Sequence, residues 1–123
     1  MEISAEQILQ LQAIAQEYEN FQCIECAQAI QDYLVAQGIR GKRIKLYTGL
    51  ASKWDENIYD DIIEDVISVN GRHEGVSITN NGIEIVYDNI HPNGLLRDEW
   101  IANLQFDSKV RLGGQFQVTE EEF

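Results

Sequence analysis

The stretch GRHEGVSITNNGIEIVYD, residues 71–88, contains two runs of alternating side chains around an Asn-Asn-Gly turn. Alternation with a period of two is typical of β-strands, and such a turn between two runs predicts a hairpin. If Asn80-Asn81 form the loop, paired residue numbers sum to 161 and His73 lies directly opposite Asp88. If Asn81-Gly82 form the loop, the sum is 163 and Asp88 becomes the diagonal neighbour of His73.

Both registers place His73 and Asp88 on one side of the sheet, whereas a three-residue loop without a bulge would separate them. The hairpin therefore predicts that Asp88 accepts a hydrogen bond from His73 and fixes the tautomer and orientation of the imidazole. The other interpretation is that both are ordinary exposed residues on a polar strand face. One hairpin face is clearly apolar, with Val76, Ile78, Ile83, Ile85 and Tyr87, and the His73 face is mixed, with Gly75, Ser77, Glu84 and Val86.

A helix that begins near a cysteine precedes this hairpin. Apolar residues recur at helical spacing after Cys23, namely Ala27, Ile30 and Leu34. Gly38 is a natural terminator, so we expect a helix over about 21–37. The positive end of a helix dipole favours the thiolate form of a cysteine at its start, and the thiolate is the nucleophilic form. We therefore assign the nucleophilic role to Cys23, with His73 as base and Asp88 as the group that orients it.

Cys26 is the alternative nucleophile, although it fits the apolar stripe of the helix better than Cys23 does. Either cysteine alone is most simply explained as a small buried hydrophobic residue. A zinc site would need two further ligands, and His73 and His91 are the only histidines, so we expect no metal and no cofactor. A redox dithiol is a further alternative, although a helix rather than the usual strand precedes the pair.

Other side chains are further candidates for the same site. His91 is a rival base, but its place before Pro92 favours an extended or turn conformation in a solvated loop. Gln22 is a candidate oxyanion donor, second to the backbone amide of Cys23. Gly75 has no side chain and would let a helix end approach the hairpin closely. Three aromatic residues are expected to anchor the core rather than bind substrate: Trp54, Tyr87 and Trp100.

The remaining segments predict a single α+β domain over 1–123, in which N-terminal helices pack on an antiparallel β-sheet. Ser4 and Gln7 have the spacing of a capping box for a first helix over 4–19, with Ile3 and Ile8 as a hydrophobic staple. We expect a catalytic core over about 20–104 and a closing strand over about 115–119. Within the core the pattern predicts a strand over 42–47, a loop over 49–61, a strand over 66–69 and a short helix over 96–104.

Charge limits the classes of partner. Nine basic and 21 acidic residues give a net charge of −12, which repels nucleic-acid phosphates and anionic membranes. The N-terminal MEISAEQILQ lacks the basic start and apolar run of a secretory signal. No stretch approaches the roughly 20 apolar residues that span a bilayer. We therefore expect no nucleic-acid partner, no membrane partner and no signal peptide in this chain.

Several motifs together resemble a known superfamily. Cys23-x-x-x-Ala27, followed by Gly38-Ile39 and a strand with a basic start, resembles the catalytic helix of the papain-like and transglutaminase-like superfamily. Residues 71–76 resemble its histidine strand and residues 86–89 its aspartate strand. More narrowly, residues 21–27 together with 71–73 and 87–94 resemble the papain-fold toxin domains of bacterial polymorphic toxin systems, over about residues 20–104.

This resemblance implies a papain-like fold and a Cys23, His73 and Asp88 triad. It implies amide-bond chemistry through an acyl-thioester, as in peptide cleavage, glutamine deamidation or transamidation. It also implies a protein or peptide substrate, an immunity protein as partner, and either a cytoplasmic location or delivery to a target cell by a secretion system. The alternative, which the strong acidity favours, is a catalytically inactive binding or adaptor module on the same scaffold.

Overall fold

The computed structural model of the protein describes residues 2–123. The chain begins with the helices α1 (Ala5–Gln16) and α2 (Cys23–Ala36), followed by β1 (Lys42–Tyr47), a 3-10 helix (Lys53–Glu56), β2 (Ile58–Asp60) and β3 (Asp65–Ser68). The hairpin consists of β4 (Arg72–Asn80) and β5 (Ile83–Tyr87). The last elements are β6 (Leu95–Leu96), α3 (Arg97–Asn103), β7 (Leu104–Gln105), α4 (Asp107–Leu112) and β8 (Gln117–Glu122).

The strands form two antiparallel sheets. The larger sheet has the order β6-β5-β4-β1-β8, and the smaller one has the order β3-β2-β7. Helix α2 packs on β4 and α1 packs on α2, so both N-terminal helices cover one face of the larger sheet. The prediction of an α+β fold with N-terminal helices on an antiparallel sheet is confirmed.

The first helix begins as the sequence predicts. Ser4 Oγ accepts a hydrogen bond from the Gln7 amide at 3.1 Å, and Gln7 Oε1 accepts one from the Ser4 amide at 2.9 Å. These two bonds satisfy amides that a helix start leaves without partners. Ile3 and Ile8 pack into the same apolar cluster, in agreement with the expected staple. The helix ends at Gln16, earlier than the expected end near residue 19.

The second helix ends in a Schellman motif. Gly38 has a φ of 70°, the left-handed conformation that glycine adopts without steric cost. Its amide donates to the carbonyl of Val35 at 3.0 Å, and the Ile39 amide donates to that of Leu34 at 2.9 Å. The stripe that faces the sheet is fully or almost fully buried and consists of Cys26, Ala27, Ile30 and Leu34.

The hairpin adopts the second of the two predicted registers. Asn80 pairs with Ile83 and Val76 with Tyr87, so paired numbers sum to 163. The two loop residues, Asn81 and Gly82, have φ angles of 54° and 78°, as a type I′ turn requires. The apolar face lies under the N-terminal helices and buries Val76, Ile78 and Tyr87. Ile83 was expected in that core, but it lies at the hairpin tip and is exposed.

The His73 face of the hairpin is buried as well, which corrects its description as a mixed or polar face. His73, Ser77 and Val86 are all almost fully inaccessible. A second apolar cluster covers this face and consists of Ile44, Leu46, Ile58, Ile67, Val86, Trp100 and Leu104. The smaller sheet and α3 supply most of that cover, so the larger sheet is sandwiched between two layers.

Gly75 makes this second layer fit. A methyl group at Gly75 would lie 2.9 Å from Cζ2 of Trp100 and 2.8 Å from Cγ1 of Val86, closer than carbon atoms normally approach. The close approach predicted at Gly75 is therefore made by an indole ring rather than by a helix end.

Other boundaries differ in detail from the prediction. The expected loop over 49–61 contains the 3-10 helix and β2, because these short elements carry no clear periodicity. The short helix expected over 96–104 is α3. The closing strand β8 runs from Gln117 to Glu122, later than the expected 115–119, and pairs with β1 at the edge of the larger sheet.

Candidate active site

A small cleft opens where the start of α2 meets β4 and the residues after β3. Its volume is about 190 Å³. Cys23 and Phe21 line it from the helix side, His73 and Arg72 from β4, and Val69 from the loop that connects β3 to β4. The cysteine and the histidine singled out from the sequence thus lie in the same cleft.

Cys23 is the first residue of α2, and its side chain is half-buried. The first intrahelical bond runs from the Cys26 amide to the Gln22 carbonyl at 3.0 Å. The amides of residues 23–25 precede that bond and have no carbonyl partner within the helix. The helix start therefore presents a thiol together with free N–H groups and the positive end of the helix dipole.

The segment before Cys23 is held by an asparagine. Asn20 Nδ2 donates to the carbonyl of Val66 in β3 at 2.9 Å, and its Oδ1 accepts from the Phe21 amide at 2.9 Å. Phe21 has a φ of 70°, which is unusual for a bulky residue. These contacts fix the turn that delivers Cys23 to the cleft.

A second asparagine ties this segment to the other half of the site. Asn89 Nδ2 donates to the carbonyl of Glu19 at 2.8 Å. Since Asn89 directly follows Asp88, this bond links the approach to α2 with the loop that carries the carboxylate.

His73 and Asp88 form a buried pair. Nε2 of His73 lies 2.8 Å from Oδ2 of Asp88, and the two residues are 0% and 2% exposed. The predicted hydrogen bond is present, and the interpretation of these residues as exposed strand residues is wrong. Because Nε2–H donates to the carboxylate, Nδ1 is the ring nitrogen left for other chemistry.

Four donors converge on the Asp88 carboxylate. Oδ2 accepts from His73 and from the indole Nε1 of Trp100, each at 2.8 Å. Oδ1 accepts from the backbone amides of Ile90 at 3.0 Å and His91 at 2.6 Å. The carboxylate is thus fixed in orientation and satisfied at both oxygens.

The pair favours its ionised forms. Burial by itself disfavours the imidazolium, but the hydrogen bond to Asp88 and the proximity of Cys23 outweigh it and raise the pKa of His73 to about 10. Burial likewise disfavours the carboxylate, but the bonds from His73 and Trp100 hold the pKa of Asp88 below its usual range. At neutral pH these directions correspond to an imidazolium next to a carboxylate.

Nδ1 of His73 is buried and has no hydrogen-bond partner within residues 2–123. Cys23 is near enough to raise the pKa of His73, but its sulfur forms no hydrogen bond with Nδ1. Buried polar atoms are nearly always paired in folded proteins, and the exceptions are frequent at functional sites. The free nitrogen is therefore the atom that a thiol or a substrate can engage.

Cys26 differs from Cys23 in both place and chemistry. Its side chain is fully buried in the core under the N-terminal helices. Burial, with smaller contributions from the charges of Asp88 and Cys23, raises the pKa of Cys26 to about 12. A thiol with that pKa is protonated at neutral pH, so Cys26 is a poor nucleophile.

The other candidates lie outside this arrangement. His91 does not occupy a solvated loop, because its Nε2 lies 2.6 Å from Oδ2 of buried Asp60. Gln22 Oε1 accepts from the Glu19 amide at 2.8 Å, which fixes that side chain to the backbone. Tyr87 and Trp100 are buried as expected, whereas Trp54 is 61% exposed and does not anchor the core.

Three polar contacts of the site were not predicted, namely those of Trp100, Asn20 and Asn89. The signal for Trp100 was available, since a buried indole N–H must find an acceptor and an aspartate was expected nearby. Nothing in the local pattern distinguishes the two asparagines from ordinary turn residues.

Among residues 2–123, no three His, Cys, Asp or Glu side chains are grouped as the ligands of a metal ion would be.

The fold and the cleft define a class of protein. A cysteine at a helix start, beside a histidine and an aspartate on an antiparallel sheet, is the arrangement of papain-like proteins. The family model for papain fold toxin 2 matches residues 6–105, which is most of the chain. The chain belongs to this family, and the predicted resemblance and papain-like α+β fold are confirmed. No curated protein and no solved structure matches the chain.

One further property concerns membranes. Within the part of the chain that the structure describes, none of the helices has the length and apolarity that crossing a bilayer requires.

The indole of Trp100 gives a first testable prediction. Trp100→Phe keeps an aromatic ring in the core but removes the N–H that donates to Asp88, which we expect to cost about 1–3 kcal/mol of stability. That bond helps to lower the pKa of Asp88. Without it, the acidic limb of the curve of Cys23 alkylation rate against pH should move to higher pH. The measurement is the rate of iodoacetamide modification against pH.

Trp54→Phe is the control, since Trp54 is exposed and outside the cleft. It should change neither the stability nor the pH profile. If Trp100→Phe lowered stability without moving the acidic limb, the indole would be a packing residue only.

Proposed function

We propose that the chain is a cysteine-dependent enzyme that acts on amide bonds. Cys23 is the nucleophile, and His73 is the general acid and base. Asp88 orients the His73 ring and stabilises its protonated form. The buried His73–Asp88 pair carries this proposal, because His73 has a free Nδ1 and lines the same cleft as Cys23. Membership of a papain-fold toxin family supports the same chemistry.

In the resting enzyme the proton resides on His73. The raised pKa of the imidazole and its ion pair with Asp88 favour an imidazolium at neutral pH. An imidazolium beside a thiol stabilises the thiolate, and the start of α2 contributes in the same sense. Cys23 would thus be ready to attack without a separate deprotonation step.

The first half of the reaction forms a thioester. The thiolate of Cys23 attacks the amide carbonyl carbon, so that a C–S bond forms and the carbonyl oxygen becomes an oxyanion. His73 then donates its Nδ1 proton to the amide nitrogen, the C–N bond breaks, and ammonia or an amine leaves. The products of this half are an acyl-thioester on Cys23 and a neutral His73.

The second half restores the enzyme. Neutral His73 takes a proton from water as the water oxygen attacks the thioester carbon, the C–S bond breaks, and a carboxylic acid is released. If an amine attacks instead, the product is a new amide. Either way the thiolate of Cys23 and the imidazolium of His73 are regenerated.

The developing oxyanion needs hydrogen-bond donors that are already in place. The backbone amide of Cys23 is the main candidate, because it has no partner within the helix and lies next to the sulfur. Gln22 is the weaker candidate, since its side-chain oxygen is held by the Glu19 amide. We assign the oxyanion contact to the helix start.

The proposed substrate is a protein or peptide, and the bond that is attacked is one of its carboxamides or peptide bonds. Membership of the papain-fold toxin family supports this class. A screen that measures ammonia release and new peptide termini in parallel separates glutamine deamidation from proteolysis, and amine incorporation reveals transamidation. Cys23→Ala is the control in each assay. Activity that persists in this variant would exclude the proposed mechanism.

Membership of a toxin family further supports a role inside a target cell, with an immunity protein as the partner that neutralises it. Expression of the chain in a bacterial cell should then reduce growth in a manner that depends on Cys23. The alternative, an inactive binding or adaptor module on this scaffold, predicts the same growth phenotype for the parent chain and Cys23→Ala.

Thiol reactivity provides the direct test. An unperturbed cysteine has a pKa near 8.5 and is only a few per cent thiolate at pH 7. We expect iodoacetamide to modify Cys23 at pH 6 at least about tenfold faster than it modifies a free thiol such as glutathione. Peptide mapping by mass spectrometry identifies the modified residue. Slow reaction of both cysteines below pH 8 would indicate structural thiols and favour the binding module.

A further inference from the structure

Three apolar side chains line the cleft and remain accessible. Phe21, Ile24 and Val69 are each more than half exposed, although they lie beside a packed core. Exposed apolar side chains scattered singly need no explanation, but three that line one cleft next to a candidate nucleophile define an apolar surface.

Phe21 is the most unusual of the three. It has a φ of 70° without being glycine, asparagine or aspartate, which is costly for a bulky residue. Its side chain is exposed, so no packing in the core compensates for this backbone conformation. The Asn20 side chain holds its amide at 2.9 Å and thereby keeps the ring at the mouth of the cleft.

Polar groups of the cleft point to a ligand as well. His73 is fully buried, lines the cleft, and leaves Nδ1 without a partner in residues 2–123. The charged neighbours on β4 are engaged elsewhere, since Glu74 pairs with Arg43 at 2.7 Å and the guanidinium of Arg72 stacks 4.0 Å from the Tyr47 ring.

Glu25 is the remaining charged residue on the cleft lining, and its negative charge disfavours an acidic ligand. The accessible surface beside the sulfur is thus mainly apolar, and Glu25 adds a negative charge to it.

We infer, on the basis of the proposed function, that Phe21, Ile24 and Val69 form a subsite that binds a large apolar side chain of the substrate. That side chain would lie next to the carboxamide or peptide carbonyl that Cys23 attacks. Phe21 is its main specificity-determining residue, and the left-handed turn before α2 serves to hold the ring where the substrate enters. The negative charge of Glu25 disfavours an acidic residue beside that side chain.

The test compares two alkylating probes that need no known substrate. Iodoacetamide carries only the reactive carboxamide, and N-benzyl iodoacetamide adds a large apolar group. The second-order rate constant of each reagent with Cys23 is divided by its rate constant with glutathione. This ratio corrects for the different intrinsic reactivities of the two reagents. We expect the benzyl reagent to be preferred about tenfold, a factor that corresponds to about 1.4 kcal/mol.

Phe21→Gly should abolish this preference, because it removes the aromatic ring, while glycine adopts the positive φ of this position readily. Glu64→Gly is the matched control, since Glu64 also has a positive φ, of 55°, but does not line the cleft. Both changes relieve backbone strain, so neither should lower the melting temperature, and only Phe21→Gly should lose the preference. Ile24→Ala, which leaves the backbone of α2 unchanged, should reduce the preference by about threefold.

The possible failures are distinguishable. Fast iodoacetamide modification with no benzyl preference would overturn the subsite and leave the activated cysteine intact. An equal change of both rates in Phe21→Gly would show that Phe21 positions Cys23 instead of binding the ligand, which also overturns the subsite. Slow modification by both reagents below pH 8 would overturn the proposed function and the subsite together.

Discussion

Replacement of Cys23 by alanine is expected to lower amide-bond activity by about 10⁴-fold or more, because it removes the thiol that forms the acyl-thioester. Iodoacetamide labelling at pH 6 should be lost in the same variant. The side chain is half-buried at the start of a helix, so the free energy of unfolding should change by less than about 1 kcal/mol. Activity assays, labelling and thermal unfolding on the same samples check all three expectations.

Cys26→Ala is the matched control, because it also removes a thiol, at a position about one helical turn further into α2. The Cys26 side chain lies in the apolar core, so its loss should cost about 1 kcal/mol of stability. Its raised pKa favours the protonated thiol at neutral pH, so activity should stay within about twofold of the parent chain. The reverse pattern would assign the chemistry to Cys26. A requirement for both cysteines, with His73→Ala fully active, would indicate a redox dithiol.

The sequence predicts the half of the site that lies on one hairpin. Asn81 and Gly82 limit the pairing to two simple registers, and both put His73 and Asp88 on one face. The positive φ angles of these two residues select the observed register. Local periodicity also predicts a helix that begins near Cys23, since the apolar stripe and Gly38 fix its phase and its end. The nearness of Cys23 to His73 depends on how α2 packs on β4, which no local pattern predicts, and the triad assigned from the sequence presupposes it.

The burial of His73 could not be derived in the same way. It depends on Trp100 and Leu104, which lie some thirty residues later and cover the strand face from another layer. Periodicity over a few residues shows which faces of one element are apolar, but it does not show which element will cover a mixed face. Gly75 carried a hint, because a missing side chain in a strand often marks a close approach.

The turn before Cys23 was missed for a similar reason. Its geometry depends on Asn20 and Asn89, which bind backbone carbonyls of distant segments. Phe21 adopts a conformation that residue propensities disfavour, and propensity alone would have placed it in the helix. Sequence reasoning fails here at the residues beside the nucleophile, where local preference and the needs of a functional site are often in conflict.

Asp88→Asn is expected to have the second large effect. It removes the charge that pairs with His73 and places an amide N–H₂ among four donors, so the fold should lose about 3–5 kcal/mol of stability. Without the carboxylate the pKa of His73 should fall from its raised value, and the thiolate of Cys23 should lose its cationic partner. Activity should therefore fall by about 10²- to 10⁴-fold. Nuclear magnetic resonance titration of the His73 ring reports the pKa directly.

The loss of stability should depend on pH in a direction that both pKa shifts determine. The pKa of His73 is raised from 6.5 to about 10. Its contribution to the free energy of unfolding is therefore fully present below pH 6.5 and is lost as the pH rises towards 10. The pKa of Asp88 is lowered from 3.8, so its share is complete above 3.8 and is lost as the pH falls through the lowered value. The difference in the free energy of unfolding between the parent chain and Asp88→Asn should be largest between pH 3.8 and pH 6.5 and should shrink at alkaline pH.

Asp60→Asn is the control that separates catalysis from stability. Asp60 has nearly the same bonding as Asp88, since Oδ2 contacts His91 Nε2 at 2.6 Å and Oδ1 accepts the amides of Ile62 and Ile63. Its removal should destabilise the fold by a comparable amount and leave the pH profile of Cys23 alkylation unchanged. If both asparagine variants lost activity in proportion to their loss of stability, Asp88 would have no role beyond holding the fold together. A loss confined to Asp88→Asn follows only if its charge acts through His73 on the thiol.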